Sequence, residues 1–343
     1  MAETAIQDMS LLERQVREAG AFLEPLRAEI GRVLVGQAEL VDGLLIGLLT
    51  GGHVLVEGVP GLAKTLAVKT LAQAVGGSFA RLQFTPDLLP ADLTGTTVYN
   101  PADHSFSVKR GPIFANIILA DEINRAPAKV QSALLEAMQE HQVTLGGETH
   151  LLPNPFLVMA TQNPIEQEGT YPLPEAQVDR FMLKLEVRYP GRGEERQILE
   201  RMGHPVMALK AAPAASLEDV ATAARWVDQV YMDPKVEEYI LDLVFATRPG
   251  CLAQLSERQK EARLVHITEL IQYGASPRAT LALTLASKAR AFLNRRAYVV
   301  PQDVKDVVPD VLRHRILPTY EAEAENLTSD DLIKRLLDEL RTP

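Results

Sequence analysis

The chain has 343 residues, of which 46% are hydrophobic and 23% are charged. This length exceeds what one hydrophobic core usually holds, so the sequence predicts two domains with ample apolar material for their cores. The formal net charge of −10 argues against a protein that coats nucleic acid and favours protein partners. A single cysteine excludes intramolecular disulfides and a cysteine-based metal site, and the seven histidines have no metal-binding spacing.

The first 30 residues mix charged and apolar side chains, which is not the pattern of a signal peptide or a transit peptide. The longest uncharged apolar run, residues 43–50, is too short to span a bilayer. The lone cysteine also fits a reducing compartment. Together these features predict a cytoplasmic protein without a membrane span.

The first half of the chain alternates helical patterns with short apolar runs that are typical of buried strands. Helical spacing occurs at residues 11–35, 40–49, 66–74, 128–141 and 175–180, and strands are predicted at residues 54–56, 81–85, 113–120, 156–160 and 182–187. Turn residues also predict two hairpins, over residues 96–109 and 143–152. Strands that alternate with helices predict a parallel α/β sheet.

From residue 193 onward only helical periodicity remains, in segments at residues 194–202, 217–230, 234–246, 277–294, 301–313 and 332–340. We therefore predict a helical extension over residues 1–34, an α/β domain over residues 35–190 and a smaller all-α domain over residues 191–343. Residues 249–272 carry a helical pattern of their own, to which the sequence assigns no role.

The eight residues from Gly58 to Thr65, Gly-Val-Pro-Gly-Leu-Ala-Lys-Thr, connect a predicted strand to a predicted helix. They have the pattern of a phosphate-binding loop, in which backbone N–H groups and the positive end of the helix face the same point. Lys64 is placed to neutralise the outer phosphates, and the hydroxyl of Thr65 to bind a Mg²⁺ that bridges them. The alternative is an ordinary Gly/Pro turn with a surface lysine, against which the strand–turn–helix context argues.

One position departs from this pattern. Ala63 stands where Gly-x-x-x-x-Gly-Lys-[Ser/Thr] has its second glycine. We expect the added methyl group to be tolerated if residue 63 has helical backbone angles, and to be damaging if its φ must be positive.

Two adjacent carboxylates, Asp121 and Glu122, follow the apolar run that ends at Ala120. They emerge at the carboxyl edge of the predicted sheet, where ligands bind in open α/β folds. Asp121 can hold Mg²⁺ through its shell, and Glu122 can polarise a water for in-line attack on the γ-phosphate. The alternative is a solvated pair that caps the next helix, which the presence of the phosphate loop disfavours.

Three further polar residues are candidates for the site. Asn163 ends another predicted strand, where its amide could lie between the γ-phosphate and the attacking water, with a plain turn residue as an equal alternative. Arg180 precedes a predicted strand and Arg278 begins a predicted helix. Either arginine could reach the charge of a phosphoryl-transfer transition state, although most arginines are surface residues or salt-bridge members.

These motifs, in this order, resemble the MoxR family of AAA+ ATPases from about residue 35 to the last helix. The segments that carry the resemblance are Gly-Val-Pro-Gly-Leu-Ala-Lys-Thr, Ala-Asp-Glu-Ile-Asn-Arg-Ala-Pro, Glu-Ala-Met-Gln-Glu, Ala-Thr-Gln-Asn-Pro-Ile-Glu-Gln-Glu-Gly-Thr-Tyr-Pro-Leu-Pro-Glu-Ala-Gln and Gly-Ala-Ser-Pro-Arg-Ala. The resemblance implies an α/β P-loop nucleotide-binding core with a parallel sheet and hairpin inserts, followed by a smaller all-α lid. It also implies ATP and Mg²⁺ as cofactors and ATP hydrolysis as the reaction.

The resemblance gives each candidate residue a role. It implies Walker A at Lys64 and Thr65, Walker B at Asp121 and Glu122, and sensor 1 at Asn163. Thr65 and Asp121 would hold the metal ion. The residues that would contact the nucleotide are Val35 and Gly36, beside adenine, and Gly58, Val59, Pro60, Gly61, Leu62, Ala63, Lys64, Thr65 and Leu66.

The resemblance further implies an assembly. Arg180 would be the arginine finger that completes a neighbouring subunit's site, and Arg278 would be sensor 2 on the lid, acting on its own or a neighbouring subunit's nucleotide. The two hairpins resemble inserts that project toward a central pore. A hexameric ring of identical chains is the expectation, with a client protein and a separate von Willebrand A domain protein as partners.

Three classes of function follow from these patterns. The first is a ring-forming ATPase that remodels client proteins during maturation or metal-cofactor insertion. The second is a nucleic-acid motor, for which the hairpins offer Lys109, Arg110 and His150 without a basic-aromatic cluster. The third is a small-molecule kinase, for which the predicted all-α domain supplies no obvious acceptor pocket.

Overall fold

The structure is a computed structural model that describes residues 2–102, 104–163, 170–203, 209–259 and 263–343, with side chains from residue 9 onward. Asp103 in the first predicted hairpin and residues 164–169 after Asn163 lie outside the described residues. The chain divides into two compact units. Residues 22–181 and 185–221 form the sheet unit, and residues 1–21, 182–184 and 222–343 form the helical unit. The predicted domain boundaries at residues 34 and 190 stay predictions.

The helices and strands follow the predicted order closely. The helices are α1 Ala2–Ala19, α2 Leu23–Val33, α3 Ala38–Thr50, α4 Lys64–Ala74, α5 Pro90–Thr94, α6 Ala128–Glu140, α7 Glu175–Val178, α8 Arg192–Met202, α9 Leu217–Gln229, α10 Pro234–Ala246, α11 Val265–Thr268, α12 Pro277–Leu293, α13 Pro301–Leu312, α14 Tyr320–Ala324 and α15 Ser329–Glu339. The strands are β1 Val54–Glu57, β2 Phe79–Gln83, β3 Gly95–Asn100, β4 Ser105–Arg110, β5 Ile117–Asp121, β6 Gln142–Leu145, β7 Glu148–Leu151, β8 Leu157–Gln162, β9 Leu183–Glu186, β10 Ile271–Tyr273 and β11 Leu317–Pro318.

A five-stranded sheet in the order β2-β5-β8-β1-β9 forms the centre of the sheet unit. The pairs β2–β5, β5–β8 and β8–β1 are parallel. The apolar residues of β1, β5 and β8, among them Leu55, Ile118 and Val158, are fully buried, as expected for strands with both faces covered. The predicted α/β fold with a parallel sheet is confirmed.

This strand order determines where the functional residues meet. β8 lies between β1, which leads into the phosphate loop, and β5, which ends at Asp121. Since the three strands are parallel, their carboxyl ends lie side by side at one edge of the sheet.

Both predicted hairpins form. β3 pairs with β4 from Gly95↔Arg110 to Asn100↔Ser105, and β6 pairs with β7 from Gln142↔Leu151 to Leu145↔Glu148. The second hairpin turns at Gly146 and Gly147, whose φ angles of 59° and 88° lie in the region that favours glycine.

Two strands of the sheet begin two or more residues away from where the sequence predicts. The apolar run at residues 113–120 starts with a 3-10 turn at Pro112–Phe114, and only Ile117–Asp121 is a strand. Proline suits the first position of such a turn because it has no N–H to donate. β2 begins two residues early, at Phe79, where it pairs with Ile117.

The helical unit has its apolar side chains on the facing sides of its longer helices. α12 contributes the fully buried Leu283 and Phe292, α13 contributes Val304 and Val308, and α15 contributes Leu332. The helical character predicted for this part of the chain is confirmed. It also contains a short antiparallel pair, β10 with β11, which the helical periodicity did not indicate. Among the described residues no helix is long and apolar enough to cross a membrane.

Candidate functional site

The phosphate loop joins β1 to α4, and Lys64 is the first residue of that helix. The Lys64 ammonium donates a hydrogen bond to the carbonyl oxygen of Gly58 at 2.6 Å. Gly61 has a φ of 88° and no atom within 4 Å of the point where a Cβ would stand. Gly61 thus faces open space, and its positive φ rather than crowding favours glycine there.

At Gly58 it is the close approach of a neighbouring backbone that requires glycine. A Cβ at this position would lie 2.9 Å from the carbonyl oxygen of Val187, which follows β9 in the sheet unit. The approach of these two backbones leaves no room for a side chain without a shift of one of them.

Ala63, the residue before α4, has a φ of 56° and a ψ of 20°, in the left-handed region. The backbone at Ala63 thus has the positive φ for which we expected the added methyl group to be damaging. A left-handed conformation costs a residue with a Cβ roughly 1–2 kcal/mol. The loop keeps the glycine-like angles and carries the strain of the methyl group.

Electrostatics link Lys64 to the carboxylates. Burial lowers the pKa of Lys64, and the charges of Asp121, Glu122 and Glu57 act in the opposite direction. Lys64 follows β1 and the two adjacent acids stand at the end of β5, on either side of β8 at one edge of the sheet. Asp121 and Glu122 also pair with Arg81 and Arg125, which balance their charge.

The two acidic residues leave β5 together but with different surroundings. Asp121 is the last residue of the strand, and its Oδ1 accepts a hydrogen bond from the Thr161 hydroxyl at 2.7 Å. Glu122 has a φ of 57° and a ψ of 52°, and its N–H donates to the same hydroxyl at 2.9 Å. Both acidic residues are therefore hydrogen-bonded to β8.

Residues of β2 contact both carboxylates from the other side. Arg81 donates from Nη2 to Oδ2 of Asp121 at 2.7 Å, and Gln83 donates from Nε2 to Oε2 of Glu122 at 2.9 Å. Arg125 contacts the same Glu122 oxygen through Nε at 2.9 Å. Arg81, Gln83 and Arg125 were not among the predicted site residues. The alternation around the buried Leu82 indicates only that Arg81 and Gln83 share one face of their strand, and not which residues they contact.

Asn163 follows the last residue of β8 and is 8% exposed. Because β8 lies between β1 and β5, Asn163 emerges between the phosphate loop and the acidic pair. This is the place in which a side chain that both donates and accepts hydrogen bonds could orient a water. Its role as sensor 1 stays a prediction.

The two candidate arginines belong to different units. Arg180 lies in the sheet unit after α7 and lines a surface groove with Glu136 and Gln139 of α6. Arg278 is the second residue of α12 in the helical unit, and its N–H donates to the capping hydroxyl of Ser276 at 3.2 Å. Their roles as arginine finger and sensor 2 stay predictions.

The segment predicted to lie beside adenine connects α2 to α3. Val35 is buried, and Gly36 has a φ of 67°. A side chain at Gly36 would collide with the carboxylate of Glu194 on α8. The Gln37 amide donates to the carbonyl oxygen of Arg188 at 3.3 Å. The segment is thus fixed against two later parts of the sheet unit.

The oxygen donors at the sheet edge fit Mg²⁺. Thr65 offers a hydroxyl and Asp121 a carboxylate, and Mg²⁺ characteristically takes one or two such protein ligands together with phosphate oxygens and waters. Within the described ranges no three or more His, Cys, Asp or Glu side chains cluster as a metal site.

The comparisons with known proteins agree with this geometry. Residues 53–183 match the family model of the ATPase family associated with various cellular activities (AAA), and residues 264–336 match that of the AAA lid domain. The chain is 48% identical over 321 residues to Chaperone MoxR1 of Mycobacterium tuberculosis, which covers 94% of this chain and 82% of that protein. It is 31% identical over 343 residues to protein MoxR of Methylorubrum extorquens, with 95% and 96% covered.

A solved structure has the same fold. The crystal structure of a candidate ATPase from Cytophaga hutchinsonii superimposes with a TM-score of 0.88 at 46% identity, over 98% of this chain and 99% of that one. The parallel sheet, the phosphate loop, the paired acids and the helical lid define an AAA+ ATPase. Within that class the chain belongs to the MoxR family, as the sequence motifs predicted.

Proposed function

We propose that this protein hydrolyses ATP to ADP and phosphate in a reaction that depends on Mg²⁺. The observation that carries the proposal is the strand order, which brings the loop after β1 with Lys64 and the end of β5 with Asp121 and Glu122 to one edge of the sheet, on either side of β8. A phosphate loop beside two acids with different surroundings suits phosphoryl transfer to water, because one acid can serve the metal and the other the nucleophile.

The residues divide the reaction as follows. Glu122 accepts a proton from the attacking water, whose oxygen bonds to the γ-phosphorus as the bond to the β–γ bridging oxygen breaks. Asn163 orients that water, and Lys64 with the loop N–H groups offsets charge on the phosphoryl oxygens. Thr65 and Asp121 would hold Mg²⁺, which when bound would neutralise charge on the phosphates.

We further propose that the protein works as a ring of six identical chains in the cytoplasm. Arg180 supports this arrangement, since it lies on the surface of the sheet unit and lines a groove there. In a ring it reaches the γ-phosphate of a neighbouring subunit and completes that subunit's site. An arginine supplied in this way contributes about 10³- to 10⁵-fold to phosphoryl-transfer rates.

The work done with ATP is the remodelling of client proteins during their maturation or the insertion of a metal cofactor. The name of the Mycobacterium tuberculosis relative, Chaperone MoxR1, supports a chaperone-like role. A separate protein with a von Willebrand A domain is the partner that we propose to deliver the client.

Release of phosphate from ATP tests the proposal, measured for the wild type and for Glu122→Gln with Mg²⁺ and with EDTA. We expect wild-type turnover only with Mg²⁺, and turnover by Glu122→Gln at least about 10²-fold slower with ATP still bound. Absence of Mg²⁺-dependent phosphate release would refute the proposal. Phosphate that appears on an added metabolite would instead indicate a kinase, and stimulation by DNA with a steep salt dependence would indicate a nucleic-acid motor.

A further inference from the structure

Thr161 on β8 is a buried residue to which neither the motifs nor the proposed reaction gives a role. Its side chain is among the most enclosed polar groups of the sheet unit, at 2% exposure. Its hydroxyl donates to Oδ1 of Asp121 at 2.7 Å and accepts the N–H of Glu122 at 2.9 Å. A single side-chain atom therefore contacts both acidic residues of the site.

The two hydrogen bonds have only one possible direction. An ionised carboxylate only accepts, so the single hydroxyl proton must point at Asp121, and a lone pair is left for the N–H of Glu122. Serine can reproduce both bonds. Valine matches the size of threonine but can make neither, and it would leave the N–H of Glu122 without this partner.

The contact with Glu122 holds an uncommon backbone conformation. The φ of 57° and ψ of 52° at Glu122 place it in the left-handed region, which residues with a Cβ seldom occupy. Such conformations persist at functional sites only where surrounding contacts determine them. The bond from the Glu122 N–H to Thr161 is one of these contacts, and the backbone angles at Glu122 decide where its carboxylate points.

We propose that Thr161 is a positioning residue that fixes the metal-holding carboxylate of Asp121 and the backbone of Glu122 as one unit. The inference rests on the proposed nucleotide site. Because a second residue that orients a metal ligand contributes about 10- to 100-fold to metal affinity or activity, the hydroxyl should matter for the Mg²⁺-dependent part of nucleotide binding. Nucleotide affinity without Mg²⁺ depends on the phosphate loop and should not change.

Calorimetric titration of ADP in Mg²⁺ and in EDTA measures this part directly, as the ratio of the two affinities. We expect Thr161→Val to lower the ratio about tenfold, and Thr161→Ser to keep it within about twofold of the wild type. Thr161→Ala removes the same hydroxyl with a smaller side chain and replaces Thr161→Val if that variant does not fold. ATP turnover should fall together with the affinity ratio in Thr161→Val and Thr161→Ala. It should stay close to the wild-type rate in Thr161→Ser.

Thr247 provides a matched control in the helical unit. Its hydroxyl donates to the carbonyl oxygen of Val244 at 2.7 Å and accepts the N–H of Ala275 at 2.9 Å, and the residue is fully buried. Thr247→Val therefore removes the same pair of hydrogen bonds away from the acids. We expect it to lower the thermal midpoint as Thr161→Val does and to leave the affinity ratio unchanged.

The outcomes separate this inference from the proposed function. If the wild type binds ADP more tightly with Mg²⁺ and Thr161→Val keeps that gain, the role of Thr161 is refuted while the ATPase proposal stands. An equal loss in Thr161→Ser would also refute it, because the hydroxyl would not be the cause. A wild type that binds no ADP in Mg²⁺ overturns both.

Discussion

The side-chain amide of Gln83 on β2 donates to Oε2 of Glu122 at 2.9 Å. Arg81 donates to the other end of that amide, Oε1 of Gln83, at 2.9 Å. Because a guanidinium can only donate, the amide oxygen must face Arg81 and the NH₂ group must face Glu122. With Arg125 on the same oxygen, the carboxylate that we assign as the general base is held by two donors.

Replacement of Gln83 by methionine should raise basal ATP turnover. A hydrogen bond to a carboxylate makes that group less ready to take a proton, and one such bond contributes about 0.5–1.5 kcal/mol, so we expect an increase of about two- to tenfold. Nucleotide affinity should not change. Gln302→Met is the matched control, since the Gln302 amide donates to the Asp306 carboxylate at 2.7 Å on the helical unit. Unchanged or slower turnover in Gln83→Met would contradict the idea that the Gln83 hydrogen bond makes Glu122 a weaker base.

Replacement of Ala63 by glycine should strengthen the phosphate loop. The left-handed φ of 56° at Ala63 is strained for alanine and unstrained for glycine, so we expect about 1 kcal/mol of added stability. Thermal unfolding and ATP affinity both report the change. Gly61→Ala is the reverse test, because Gly61 has a φ of 88° and should lose stability when a Cβ is added. A lower midpoint for Ala63→Gly would show that the methyl group makes a favourable contact.

His53 should make stability depend on pH. The residue is 5% exposed, its Nδ1 accepts the N–H of Val158 at 3.1 Å, and its Nε2 therefore donates to the carbonyl oxygen of Met138 at 2.9 Å. Burial lowers the pKa of His53 to about 4. The unfolded chain, with a pKa near 6.5, binds the proton more readily. The stability that the neutral ring contributes is thus full above about pH 6.5 and is lost as the pH falls toward 4, by up to about 3 kcal/mol.

Urea unfolding of the wild type and His53→Gln between pH 4 and 7 measures this contribution. The stability of the wild type should fall more steeply toward acid than that of the variant. His266→Gln is the control, because the His266 side chain is 92% exposed. Its free energy of unfolding should change with pH as steeply as that of the wild type. Parallel curves for His53→Gln and the wild type would rule out His53 as the source.

Replacement of Arg180 by alanine should lower ATP turnover by about 10³-fold or more and leave ATP affinity intact, because the arginine acts on a neighbour's transition state. Arg188→Ala is the control, since that side chain is 83% exposed and lies 3.9 Å from Glu186. Mixed rings of Arg180→Ala with Lys64→Ala should recover activity, because a subunit with intact Lys64 can receive an intact Arg180 from its neighbour. No recovery would argue against a shared site.

The parts of the site that were predictable are those whose patterns are local. The local sequence around residues 58–65 and around the Asp121–Glu122 pair is enough to predict the strand, turn or helix there. The structure has these elements at the predicted places. The hairpins were predictable for the same reason, since the turn residues and flanking strands are close in sequence.

The contacts of Thr161, Arg81 and Gln83 were not predictable because they depend on strand order. The sequence pattern of β2 does not indicate that β2 is the edge strand beside β5. Nor does any local pattern indicate that β8 lies between β5 and β1. The φ of Ala63 could not be predicted either. Alanine favours helical backbone angles, but the loop geometry overrides that preference. Short-range patterns identify the pieces, and the sheet decides which side chains meet.

The most direct test of the account is Mg²⁺-dependent ATP turnover per subunit across a wide dilution series, with the oligomeric state measured at each concentration. Turnover that rises with concentration as rings assemble is the result that we predict, because Arg180 of one subunit completes the site of the next. Constant turnover down to concentrations at which the protein is monomeric would mean a self-sufficient site and would contradict the ring mechanism.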